Sequence, residues 1–157
     1  VTPQERRIFF RHALSPLFLP FYDELCKELS DNWAPYSGYR SFTEQDALYA
    51  KGRTLAPFGR GHVVTNARAG ESAHNWGCGV DFTWFDDDGE LRWLKKEDPV
   101  WKNYIETVGK LGLRPGADFG DTDHCELKLS CSWKDVLAEY SFRGMDAANA
   151  FIKSKMI

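Results

Sequence analysis

Residues 72–94 read Ser72-Ala73-His74-Asn75-Trp76-Gly77-Cys78-Gly79-Val80-Asp81-Phe82-Thr83-Trp84-Phe85-Asp86-Asp87-Asp88-Gly89-Glu90-Leu91-Arg92-Trp93-Leu94, and this stretch decides the fold. Extended, aromatic-rich segments on either side of an acidic Asp-Asp-Asp-Gly turn predict a β-hairpin. Gly77 and Gly79 carry no Cβ, so backbone can approach closely just before the first strand. Downstream, Asp98 and Pro99 form an N-cap and first-turn proline for a helix whose face is Val100, Trp101, Tyr104, Ile105, Val108 and Leu111, ending near Gly112. Residues 113–130 are turn-rich and then extended, Ser132 caps a helix over 133–140, and a last short helix covers 146–153.

Upstream, Ile8, Phe9, Leu14, Leu17, Phe18, Phe21, Leu25 and Leu29 recur at near-helical spacing, broken by Pro16 and Pro20, which predicts two short helices. Trp33-Ala34-Pro35-Tyr36-Ser37 reads as a strand, after which Thr43 stands as N-cap of a short helix with Gly52 as its stop. Residues 53–71, rich in Gly, Arg and Ala, read as a long loop, a kind of segment that is often functional. Helices gather at the ends and in one crossover while strands occupy the middle. The expectation is therefore an α+β fold, a small central antiparallel sheet flanked by helices.

A length of 157 residues fits a single domain, residues 1–157. With 43% hydrophobic and 27% charged residues, disorder and coiled coil are excluded, and a net charge of −3 argues against nucleic acid as a partner. The most apolar stretch, residues 13–22, is interrupted by two prolines and falls short of the ~20 residues a membrane span needs. The first residues lack the features of a secretory signal, and the start at Val1 without Met is the expectation for a processed chain or a piece of a longer one. Cys26, Cys78, Cys125 and Cys131 are too few and too scattered for a disulfide framework and read as reduced core thiols.

Of the four histidines (His12, His62, His74 and His124), two lie in unusual surroundings. His74 precedes the hairpin strand that carries Asp81. His124 follows Asp121-Thr122-Asp123 and begins an extended segment. Two histidines and one carboxylate on neighbouring strands make the three-ligand set of a catalytic zinc, with a fourth position for water and a nearby carboxylate as base. Taken singly, a histidine beside a strand is more often a hydrogen-bonded structural residue. The Asp86–Asp88 run reads as a solvated turn, since a calcium loop needs alternating ligands over a longer loop. Strand alternation argues against Cys78 or Cys125 as ligands, because each has the parity opposite to Asp81 or His124.

Together, Ser72-x-His74-x-x-Gly77-x-Gly79-x-Asp81 and Asp121-x-x-His124 resemble the zinc signature of the peptidoglycan-cleaving D-alanyl-D-alanine carboxypeptidase family. The likeness extends through Ser37-Gly38-Tyr39-Arg40-Ser41, Glu44–Thr54 and Val64-Thr65-Asn66-Ala67, covers about residues 36–128, and is greatest to the L-alanyl-D-glutamate endopeptidase branch of phage endolysins. The resemblance implies a hedgehog-like and D,D-peptidase-like fold, with Zn2+ held by His74, Asp81 and His124. It implies Asp121 as the carboxylate that activates water, and Arg40 as the cation that holds the substrate carbonyl or its developing oxyanion. It sets Ser72 at the substrate-facing lip, and His62 where relatives carry a basic residue that can meet an acidic peptide.

Two departures stand out: Gly79 replaces the usual Ala, read as harmless, and Cys125 replaces an aromatic. Asp123 competes with Asp121, since in a regular strand neither would face His124, but Gly120 and the polar run after it read as a turn in which alternation fails. The implied partner is the peptidoglycan stem peptide, met by a monomer made in the host cytoplasm and acting on the cell wall. The alternatives are a D-alanyl-D-alanine carboxypeptidase or dipeptidase, and a non-catalytic, metal-bearing binding module of hedgehog-like fold.

Overall fold

The computed structural model describes residues 1–53 and 63–157. Helix α1 (Pro3–Arg11) opens on a capping box: the Thr2 hydroxyl accepts from the Glu5 N–H while the Glu5 carboxylate accepts from the Thr2 N–H. Helix α2 (Leu19–Glu28) buries Tyr22 and Leu25. Strand β1 (Trp33–Ser37) leads to α3 (Phe42–Ala50), whose cap is Ser41 rather than Thr43. Ser41 wins because Glu44 lies three residues on and closes the reciprocal pair, so the helix starts two residues earlier than the threonine would place it. Gly52, at φ 78°, ends it.

The hairpin forms as expected, but its first strand, β2 (Gly79–Phe85), begins late. Residues Ala73–Trp76 make a short 3₁₀ helix, capped by Ser72 and stopped by Gly77 in the left-handed region at φ 66°. Strand β3 (Leu91–Arg92) returns after a turn in which the Asp86 carboxylate accepts the Asp88 and Glu90 N–H groups and pairs with Arg92. Helix α4 (Val100–Lys110) starts one residue later than expected, with Pro99 rather than Asp98 at the N-cap, while Asp98 Oδ1 accepts the Val100 N–H at 3.0 Å in the turn before it. Strand β4 (Leu113–Pro115), too short for sequence patterning to expose, precedes β5 (His124–Leu127). Helices α5 (Trp133–Arg143) and α6 (Met145–Lys155) finish the chain, both running somewhat longer than expected.

The sheet is antiparallel with order β1-β2-β5-β4, and β3 pairs with the far half of β2. Its register sets Asp81 opposite His124 and Glu126 opposite both Gly79 and Arg114. Alternation then divides the two central strands. Val80, Phe82, Cys125 and Leu127 turn into the core, where Phe82 lies 6.1 Å from the Tyr22 ring and 5.9 Å from the Tyr104 ring. Trp33 stacks on Tyr104 at 5.0 Å and meets Trp101 at 5.1 Å. Full burial of each such side chain contributes about 1.5–3 kcal/mol. Cys78 and Cys125 are buried free thiols, and burial pushes Cys78 up to about 12 and Cys125 higher still. Among the described residues no helix is long and apolar enough to cross a membrane.

Candidate metal centre

The opposite face of β2 and β5 carries Asp81, Thr83, His124 and Glu126, all buried despite their polarity. His74 joins them from the 3₁₀ helix. The Ser72 hydroxyl accepts the His74 N–H at 3.3 Å, and Asn75 Oδ1 accepts the Ser72 N–H at 3.2 Å, so two side chains fix this turn. Gly77 fits here for a second reason, since a Cβ on it would lie 2.7 Å from the Ser15 backbone nitrogen. Gly79 is more than a tolerated replacement: a Cβ there would lie 2.9 Å from the Ala73 Cβ and 3.0 Å from His124 Cε1. With this backbone, the glycine lets the 3₁₀ helix and β5 close on each other.

His74, Asp81 and His124 each offer one ligand atom within 4.8 Å of the others. The His74 Nδ1–H donates to the Gly38 carbonyl at 2.7 Å, which leaves Nε2 turned toward Asp81 Oδ1 at 3.2 Å. His124 has the mirror arrangement: Nε2 meets Glu126 Oε2 at 2.8 Å and Nδ1 meets Asp81 Oδ1 at 2.8 Å. Both outer nitrogens thus have acceptors, and both inner nitrogens converge on one carboxylate oxygen. That is the pattern of metal-binding histidines, whose second nitrogen is held by a carbonyl or carboxylate.

The electrostatics agree. Burial would raise Asp81, but the two histidines hold it well below the usual carboxylate range. Burial would lower His124, yet hydrogen bonds to Asp81 and Glu126 hold it up at about 10. Two carboxylates packed on one buried imidazole mark a centre that calls for positive charge. The donor set, two imidazoles and one carboxylate with supported orientations, fits Zn2+. Neither buried thiol lies in this cluster.

Asp121 and Asp123 belong to the turn before β5, where the Asp121 N–H donates to the Gly116 carbonyl at 2.8 Å and the His124 N–H to the Asp121 carbonyl at 3.1 Å. Alternation does fail there, and the two acids differ in exposure, although their carboxylates and that of Asp81 lie within 4.8 Å of one another. Asp121 is exposed and lines the cavity over the three ligands. Asp123 is half-buried, accepts a hydrogen bond from the Tyr36 hydroxyl, and lends its carbonyl to Tyr104 and to the Phe82 N–H. Burial raises Asp123 to about 7, with repulsion from Asp81 and Asp121 adding to it and the Tyr36 bond opposing it.

Arg40 lines the same cavity, of about 500 Å³, with Nη1 bonded to Gln45 Oε1 at 2.8 Å and Nη2 to Ser37 Oγ at 3.2 Å. Its backbone is tied to the 3₁₀ helix on both sides, the N–H donating to the His74 carbonyl and the carbonyl accepting from Asn75 Nδ2. Ser72 lies at the cavity wall. His62 and Thr54 lie outside the described residues, as does half of the 53–71 loop. The structure adds Glu126, Gln45, Tyr36 and Arg114 to the residues singled out from sequence. Of these, Glu126 could have been found from strand parity, since two residues past His124 on a strand it must share that histidine's face.

The chain matches the model of the family described as VanY: D-alanyl-D-alanine carboxypeptidase over residues 19–113, and it belongs to that family. The match contains Arg40, Ser72, His74 and Asp81 and ends before Asp121 and His124. The peptidoglycan L-alanyl-D-glutamate endopeptidase CwlK of Bacillus subtilis (strain 168) is 39% identical over 99 residues, taking in 57% of this chain and 57% of that protein. The chain thus spans little more than half the length of that relative. The crystal structure of the Serratia marcescens L-Ala D-Glu endopeptidase ChiX superposes with a TM-score of 0.55 at 15% identity, covering 78% of this chain and 86% of that one, and shows the shared α+β fold.

Proposed function

We propose that this chain is a zinc-dependent peptidase that hydrolyses the L-alanyl-D-glutamate bond of peptidoglycan stem peptides. One observation carries the reading: His74, Asp81 and His124 converge with their outer nitrogens already bonded, on the floor of a cavity that Asp121 and Arg40 also line. A zinc ion held by these three residues would supply a Lewis acid and would lower the pKa of a bound water toward ~7. Asp121, exposed to the cavity, takes a proton from the attacking water and passes it to the leaving amine. Arg40, permanently charged and held by Gln45 and Ser37, stabilises the oxyanion of the tetrahedral intermediate. Asp123 stays out of the reaction, its carboxylate tied to Tyr36 and its carbonyl to Tyr104.

The choice of bond draws on the names of CwlK and ChiX, both L-alanyl-D-glutamate endopeptidases. The endolysin reading draws on the resemblance of the block from Ser37 to Ala67. The three residues of the centre and the cavity over them sit on one sheet and its flanking turns, which supports reading residues 1–157 as one catalytic unit. The family description favours a second reading, release of terminal D-alanine. Zinc-loaded protein incubated with purified peptidoglycan, followed by mass spectrometry of the released fragments, separates the two. New amino termini at D-glutamate are expected. Free D-alanine as the product would establish the second reading, and no product at all would favour a binding module.

A further inference from the structure

Among the described residues lining the cavity, the positive side chains are Arg40 and Arg114, set against the acids Glu71, Asp81, Asp121 and Glu126. The two arginines differ in how they are held. Both terminal nitrogens of Arg40 are engaged by side chains. Arg114 makes a single long contact, Nη1 to Glu126 Oε1 at 3.5 Å, and its guanidinium rests on the Phe119 ring at 4.5 Å. Its side chain is 47% exposed. The ring and the carboxylate orient the guanidinium while most of its five donors stay unbonded among the described residues, which is how an arginine is prepared for a planar anion.

The register locates this cation. Arg114 on β4 is the direct partner of Glu126 on β5, and Glu126 bonds His124. One strand spacing, about 4.8 Å, separates the two backbones. Arg40 follows β1, across the metal ligands from β4 in the strand order. The centre therefore lies between two cations, of which Arg40 serves the carbonyl side of the scissile bond. A glutamate after that bond spends one carboxyl on the onward peptide link and keeps the other free, a few bonds from the scissile nitrogen. A wall this acidic repels that carboxylate unless a cation receives it.

We propose that Arg114 binds the free carboxylate of the residue following the scissile bond and thereby makes the site selective for an acidic residue there. This rests on the endopeptidase reading above. The test uses two synthetic stem peptides that differ only in that group, one with the free carboxylate and one with the carboxamide, cleaved by zinc-loaded wild type, Arg114→Ala and Arg114→Lys. Zinc content is measured alongside.

Wild type prefers the carboxylate peptide. Charge-assisted hydrogen bonds of this kind correspond to about 10–100-fold in affinity. Arg114→Ala should therefore raise KM for the carboxylate peptide by about that factor, bring the two KM values together and keep its zinc. Arg114→Lys should recover part of the preference, because an ammonium restores the charge but not the fork. Equal loss on both peptides, or loss of zinc, would mean that Arg114 acts through Glu126 and His124, and overturns the proposal. So would a wild type indifferent to the carboxylate. A zinc-loaded wild type that cuts neither peptide overturns the endopeptidase reading itself.

Discussion

Strands β2 and β5 carry two chemistries back to back. On one face Val80, Phe82, Cys125 and Leu127 pack among aromatic rings, and on the other Asp81, His124 and Glu126 bond one another beside His74. The backbone hydrogen bonds are shared, so whatever holds the sheet in register also holds the candidate ligands in place. What differs is the kind of order. The apolar face resists change by volume, since a removed ring leaves a void. The polar face resists by pairing, since each buried group there is bonded to another and losing one strands its partner. The core sets the position of the centre, and the centre adds charge requirements that the core cannot meet.

The separation can be broken most sharply on the apolar side. Phe82→Ala should cost about 3–5 kcal/mol of stability in denaturant unfolding, while zinc bound per folded chain stays at the wild-type level. Loss of zinc with little loss of stability would show that the two faces are not separable. A smaller effect is expected beside the centre, where Asp121→Asn should keep fold and zinc but lose at least ~10²-fold in turnover, the usual worth of a general base. Asp123→Asn should lose much less. An inactive Asp123→Asn beside an active Asp121→Asn reverses the two roles.

The smallest change sharpens the comparison within the polar face. His74 is oriented by a backbone carbonyl and His124 by a carboxylate, so only the second support can be altered by substitution. Glu126→Gln should weaken zinc binding by about 10–100-fold, read by chelator competition, with little change in thermal stability. Unchanged zinc affinity would show that the strand alone orients His124.

Much of this was legible before any coordinates, and the misses have reasons. The hairpin, the Asp98-Pro99 turn into α4 and the Ser132 cap are local patterns, written within a few residues. The Thr43 cap failed because Ser41 and Glu44 form the stronger local pair. The segment before β2 read as part of the hairpin, whereas the Ser72 cap and Gly77 wind it into a 3₁₀ helix that aims His74. Gly79 read as a harmless exchange because the atoms it makes room for, on Ala73 and His124, meet only when the chain is folded.

The sequence by itself determined the α+β class, the order of the helices and the Ser132 cap, the parity that keeps Cys78 and Cys125 out of the centre, and the three candidate ligand positions. These depend on hydrogen bonds and periodicities a few residues long, or on a resemblance carried by the motif. Only the tertiary structure decided that Gly38 orients His74, that Glu126 orients His124, that Tyr36 bonds Asp123, and that Arg114 stands beside the centre. Asp81 and His124, 43 residues apart, share a hydrogen bond, and Tyr36 and Asp123, 87 apart, share another. Such pairings follow from strand order and register, which arise from packing the whole chain around one core rather than from any short stretch of it.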